Sequence, residues 1–176
     1  MSAFCATHAA GALVRSGAMD AAPIATAAPT LTYVGTITAL VADPIELGPM
    51  PGGARRIIPI LGGTVEGPEL RGSILPGGAD YQVLRSETTT HLEARYAIET
   101  EDGERISVEN VGIRNGSAED IAALVAGRPV PPERIYFRCV PRLAGSGRWA
   151  WLQDRIFLGS GVRHPDRVVV TVHLVE

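Results

Sequence analysis

The stretch Thr90-His91-Leu92-Glu93-Ala94-Arg95-Tyr96-Ala97-Ile98-Glu99-Thr100, followed by Glu101-Asp102-Gly103-Glu104 and then Arg105-Ile106-Ser107-Val108-Glu109-Asn110-Val111, decides the fold. Glu93, Arg95 and Glu99 fall on one side, and Leu92, Ala94, Tyr96 and Ile98 on the other. That period of two marks a strand with one buried face. Asp102-Gly103 supplies the positive φ angles of a tight hairpin turn, so residues 105–111 are expected to pair back on the strand before them.

The same period runs outward in both directions. Leu31, Tyr33, Ile37, Ala39 and Val41 alternate with Thr32, Thr36 and Thr38, and Asp43-Pro44 ends that strand. A loop is expected through Gly48-Pro49-Met50-Pro51-Gly52-Gly53, with further strands at about 55–61, 69–75 and 80–85 and glycine or proline turns between them. Beyond the hairpin, Ser117-Ala118-Glu119-Asp120 opens a helix that runs to about Ala126 and stops at Gly127 before Pro129. Ser117 caps its first turn, and the two carboxylates suit the positive end of its dipole. Strands resume at about 134–140, 154–159 and 167–175. Eight or nine short strands with one short helix define an all-β sandwich or closed barrel, and periodicity alone does not choose between them. The choice matters because a barrel of about eight strands can hold one small ligand.

Composition bounds the function. A chain of 176 residues is one domain in length and can bury roughly 70% of its unfolded surface without staples. Residues 1–30, rich in alanine, read as a poorly ordered extension to a barrel or sandwich domain at 31–176, with Met19 an alternative start. The extension lacks the charged start and continuous apolar run of a secretory signal, and no apolar run approaches the roughly 20 residues of a membrane helix. A net charge of −3 argues against a phosphate-tracking surface, so neither nucleic acid nor membrane is expected as a partner. Cys5 and Cys139 fit no CxxC pattern, and a reducing cytoplasm is the default location.

All sixteen basic residues are arginine. No Schiff base, no covalently held pyridoxal phosphate and no phosphate-binding loop lysine can form. Dinucleotide, zinc-protease and serine-hydrolase signatures are missing too. The histidines are not spaced as a metal pair, although His91 and Glu93 share a strand face, so no metal is expected.

Several residues could carry chemistry if the sheet encloses a cavity. Tyr96 points its phenol into the apolar interior, where it either bonds to backbone or meets a ligand. Asp80, following Pro76-Gly77-Gly78-Ala79, starts a strand at a loop edge; apolar surroundings would raise its pKa toward proton-transfer duty, unless it only bonds the amides of its own turn. Glu66 in Gly62-Gly63-Thr64-Val65-Glu66-Gly67-Pro68 has the same two readings. Ile135, Phe137 and Cys139 make a core-like face, while Tyr136 and Arg138 share the opposite one. On a cavity wall Arg138 would anchor an oxyanion; otherwise that face is solvated. Trp149 and Trp151 either roof an aromatic ligand or form a hydrophobic cap.

An ordered string of motifs resembles the domain-of-unknown-function 3237 family: Leu47-Gly48-Pro49-Met50-Pro51-Gly52-Gly53, Arg56-Ile57-Ile58-Pro59-Ile60, Gly62-Gly63-Thr64-Val65-Glu66-Gly67-Pro68 and Leu75-Pro76-Gly77-Gly78-Ala79-Asp80-Tyr81-Gln82. Ala94-Arg95-Tyr96, Glu101-Asp102-Gly103, Tyr136-Phe137-Arg138 and Trp149-Ala150-Trp151-Leu152 extend it over about 31–176. The resemblance implies a single antiparallel β-barrel, loosely similar to the allene oxide cyclase and lipocalin barrels, with a central cavity. It also implies cofactor-independent lyase, decarboxylase, isomerase or cyclase chemistry on a small aromatic or phenolic compound. Where the family tends to carry asparagine after Trp-Leu, this chain has Gln153. The expected catalytic set is Asp80 moving a proton, Tyr96 donating a hydrogen bond and Arg138 fixing an oxyanion; Glu66, Tyr136, Trp149 and Trp151 are expected to bind substrate. The alternative is a lipocalin-like carrier with the same cavity and no reaction. A homodimer is expected on the argument that an exposed edge strand invites pairing.

Overall fold

In a computed structural model, residues 27–176 are described. The chain runs β1 (Leu31–Val41), β2 (Ile45–Gly48), β3 (Ala54–Glu66), β4 (Gly72–Ile74), β5 (Gly78–Leu84), β6 (Thr89–Thr100), β7 (Arg105–Asn115), α1 (Ala118–Val125), β8 (Tyr136–Gly145), β9 (Phe157–Arg163) and β10 (Arg167–Val175). Two 3-10 segments, Pro132–Arg134 and Gly147–Asp154, flank β8. The expectation of a poorly ordered extension at 1–30, with Met19 as an alternative start, falls outside the described residues but for the last four.

Every strand pairing is antiparallel, and the sheet closes on itself. β6 to β10 form a continuous meander; β10 pairs with β1, β1 with β3, β3 with β5 and β5 with β6. The fold is therefore a closed eight-stranded barrel with two extra strands. The sandwich alternative is excluded. β4 lies in line with β5, since both fill the gap between β3 and β6. β2 lies outside the ring, paired only with β3. Closure removes most of the exposed edge on which the homodimer expectation rests, leaving the outer side of β2 and the part of β8 beyond Cys139, which pairs with β7 alone.

Local sequence explains where strands run further than periodicity indicates. β3 continues through Gly62-Gly63, read above as a turn, because both residues take positive φ and shift the register against β1 between Leu40 and Val41. A side chain at Gly63 would collide with the Thr38 carbonyl, so the bulge requires glycine. The hairpin at Thr100–Arg105 forms as expected, with Gly103 at φ 83°. Register is sealed beside the ring's last strand as well: Thr30 and Glu176 exchange both backbone hydrogen bonds, at 3.1 and 3.0 Å.

The interior divides into two ends. At one end Ile98, Ile106, Val108, Leu143, Phe157 and Val172 fill the bore. The 147–154 segment caps it with Trp149 and Leu152. Arg148 locks this cap, ion-paired to Asp102 at 2.7 Å and stacked 4.7 Å over the Trp149 ring. At the other end the inward positions are Arg56, Gln82, Asn110 and Arg114, all buried. Helix α1 stands near this mouth, capped as expected by Ser117 Oγ, which accepts the Asp120 amide at 3.1 Å. Asp120 is itself buried and ion-paired to Arg134 at 2.7 Å.

Candidate functional site

Between the two ends lies a chamber of about 50 Å³ to which all eight barrel strands contribute. Its walls are mainly apolar, with Ile37, Ile58, Leu92, Phe137 and Val170 among them; Asp80, Gln82, Tyr96, Asn110, Cys139 and Arg163 interrupt them. Phe137 lies against Gly161, where any Cβ would overlap its ring. The chamber shares Ile58, Gln82 and Arg163 with a wider mouth of about 290 Å³, to which Arg56, Arg114, Asp43 and residues 124–127 at the C-terminal end of helix α1 also contribute. The chamber has room for a few waters, so a ligand of ring size has to lie along both spaces.

Asp80 and Tyr96 meet here because β5 and β6 are paired in register, Asp80 opposite Ala94, with Tyr96 two residues on along the same inward face. Asp80 does not bond its own turn. Its Oδ1 accepts the backbone N–H of Glu93 on the neighbouring strand at 3.1 Å, and its Oδ2 accepts Gln82 Nε2 at 2.6 Å. Gln82 Oε1 in turn accepts Arg56 Nε at 2.8 Å, a relay from cation to carboxylate. Burial pushes the Asp80 carboxyl above its ordinary value, and the Gln82 and Glu93 hydrogen bonds and the charges of Arg114 and Arg56 restrain that rise. Burial also pushes the Tyr96 phenol up, helped by Cys139 and Asp80, so it stays protonated and can donate. The Cys139 thiol is likewise raised by burial, which makes it a poor nucleophile at neutral pH.

The arginines of the mouth feel one another. Burial and the nearby Arg56 push Arg114 down to about 10 while Asp80 opposes that shift, so Arg114 keeps its charge at neutral pH. Arg163 is lowered for the same two leading reasons. Among the described residues, the Arg114 Nε, the Arg163 Nη1 and the Asn110 Oδ1 are buried without a partner.

The other expected site residues do not join Asp80 and Tyr96. Arg138 lies on the outer face of β8, donating to the Phe137 carbonyl at 2.9 Å and stacked 5.4 Å over Tyr136, which is also outside and exposed. The strand's phase decides this: Phe137 and Cys139 are inward, so Tyr136 and Arg138 cannot be. Glu66 sits exposed at the end of β3, in a surface groove with Arg71, Glu99 and Glu101. Trp149 is part of the plug and Trp151 packs beside Phe157 at a ring separation of 6.2 Å, both at the end away from the mouth. These tryptophans form the hydrophobic cap rather than a ligand roof.

Arg56, Gln82, Asn110, Arg114 and Arg163 went unnoticed in the sequence, yet the signal was there. In β7, Asn110 and Arg114 share the phase of Ile106 and Val108, and in β3 Arg56 shares that of Ile58 and Ile60. A polar residue on the buried phase of a strand marks an interior that is not simply filled. Among the described residues no group of three His, Cys, Asp or Glu side chains could hold a metal ion, and no helix is long and apolar enough to cross a membrane.

Comparison with known proteins places this architecture. The family model for proteins of unknown function DUF3237 matches residues 29–175. A UPF0311 protein of Rhodopseudomonas palustris is 50% identical over 150 residues, covering 84% of this chain and 98% of its own. The crystal structure of a conserved protein of unknown function from that organism superposes with a TM-score of 0.83 at 47% identity, over 86% of this chain and 100% of that one. A beta-barrel like protein from Acinetobacter baumannii AYE gives 0.76 at 33% identity, covering 87% of this chain and 99% of its own.

Proposed function

The chain belongs to the DUF3237 family, and from that premise we propose that it is a cofactor-independent lyase, decarboxylase or isomerase acting on a small aromatic or phenolic acid held in the barrel. One observation carries this reading: a carboxyl with a raised pKa and a protonated phenol converge from paired strands on one enclosed, mainly apolar chamber. Asp80 moves a proton to or from the ring of the substrate. Tyr96 donates a hydrogen bond to the oxygen on which charge develops. The apolar walls exclude water, so these fixed groups stabilise an anionic or quinone-methide-like intermediate without a metal or cofactor.

Positioned acid–base groups contribute about 10² to 10⁴ in rate. Asp80→Asn keeps the shape of the side chain but offers one acceptor oxygen to two donors, the Glu93 N–H and Gln82 Nε2, so one of those contacts goes; the variant is expected to lower turnover by at least about 10² while leaving the far-ultraviolet circular dichroism spectrum unchanged. The assay incubates the pure protein with a panel of hydroxyaryl acids and follows substrate mass and released carbon dioxide. Near-normal turnover by the variant would remove Asp80 from the mechanism. A second reading, a carrier that binds without reacting, has its own support: both Asp80 oxygens are already engaged within the protein. Tight binding of a panel member with no change in its mass would favour the carrier.

A further inference from the structure

The interior carries positive charge that its own hydrogen bonds do not use. Arg56, Arg114 and Arg163 enter the mouth from β3, β7 and β9. Arg56 is occupied: its Nε donates to Gln82, and its Nη1 lies 3.8 Å from the exposed Glu46. Arg114 is only 3% exposed. Among the described residues, no acceptor reaches its Nε, or the Nη1 of Arg163. A buried guanidinium donor left unmade is costly, and that cost is tolerated where a ligand supplies the acceptor. The carboxylates that face these arginines are Asp80 within the chamber and Asp43 at the mouth, with Asp166 beside Arg163 at the surface. Of these carboxylates and Glu46, Asp80 alone lies in the chamber while Asp43, Glu46 and Asp166 are exposed, so inside the barrel three guanidinium groups face one carboxyl group.

We infer that the mouth is a carboxylate-binding subsite in which Arg114 and Arg163 hold the acid group of a small organic acid while its apolar part extends past Ile58 into the chamber. This deepens the proposed function and rests on it for the occupant of the chamber. The anchoring role expected of Arg138 passes to two arginines on the inward phase of their strands. The planar fork of a guanidinium matches a carboxylate's two oxygens. The sizes of the two spaces agree with this orientation, since the chamber of about 50 Å³ admits only the narrow end of a ligand and the mouth of about 290 Å³ takes the rest.

Calorimetric titration of the full chain with benzoate, benzyl alcohol, hexanoate and 1-hexanol separates charge from ring. Both acids are expected to bind more tightly than their alcohols. Arg114→Gln and Arg163→Gln are expected to weaken the acids about tenfold or more, the usual loss when a charge-assisted hydrogen bond goes, while Arg138→Gln changes nothing. Alcohols binding as well as acids would overturn the subsite, as would undiminished benzoate affinity in the glutamine variants or no binding of any probe. Should Arg114→Gln fail to fold, Arg163→Gln at the less buried position decides. Hexanoate matching benzoate with full arginine dependence would support the subsite and count against an aromatic substrate. Ring preference without arginine dependence would do the reverse.

Discussion

The two ends of this barrel are built from the same eight strands and solve opposite problems. At the plugged end, inward residues are aliphatic or aromatic, a 3-10 segment seals them, and Phe157 and Ile106 are 0% exposed. At the open end the same inward phase carries Arg56, Gln82, Asn110 and Arg114, and donors remain without partners. One end maximises burial of apolar surface, the dominant favourable term in folding. The other accepts desolvated charge, which seldom stabilises a fold. Buried polar atoms without partners occur at both ends, Trp149 Nε1 and Glu104 Oε2 at the plug among them, but the buried guanidinium groups are at the open end, and that is what points to where the function lies.

Three measurements would break or sharpen that contrast. The largest effect is expected at the plug: Phe157→Ala leaves a cavity among Ile106, Leu143 and Val172 and should cost about 3–5 kcal/mol in urea unfolding. A loss under about 1 kcal/mol would mean that this end does not dominate stability. At the mouth the sign reverses. Arg114→Met replaces a buried cation that lacks a full set of partners by an apolar side chain of similar length, and should raise stability by about 1 kcal/mol or more while weakening acid binding about tenfold or more. Destabilisation on that scale would mean that Arg114 supports the fold.

The smallest effect is a slope. Because the Asp80 carboxyl is raised in the folded state, there is a pH interval above the unfolded value in which the native protein holds a proton that the unfolded chain has released. Its contribution is full below the unfolded carboxylate pKa of about 3.9 and is lost as pH rises through the higher folded value. Asp80→Asn should therefore flatten the fall in stability above about pH 4. An unchanged pH profile would mean that burial does not govern this carboxyl.

The architecture was legible because its strands alternate so strictly. In β7 every second residue from Ile106 to Arg114 is buried, and the Asp102-Gly103 turn fixed the hairpin that organises the meander. Strand ends were less legible: β8 runs on to Gly145 and β3 through Gly62-Gly63, because neighbours across the ring hold them extended where local signals read as turns. Closure itself is a long-range pairing that no local pattern encodes. At the candidate site, Asp80 and Tyr96 are legible as polar groups whose strand position aims them at an apolar interior. The mouth arginines are less legible: Arg138 stands out between aromatic and thiol neighbours yet lies on the outward phase, whereas Arg114 and Arg56 lie on the inward one.

The seam between β1 and β10 has a consequence for assembly in time. The ring shuts only when Leu31 and its neighbours find the 167–175 strand, the most distant partners in the barrel. During synthesis the meander from β6 to β9 can form early, while the first strand must wait for the tenth to leave the ribosome. Contacts of such high sequence separation slow folding. Until they form, both waiting edges offer unpaired backbone to other nascent chains.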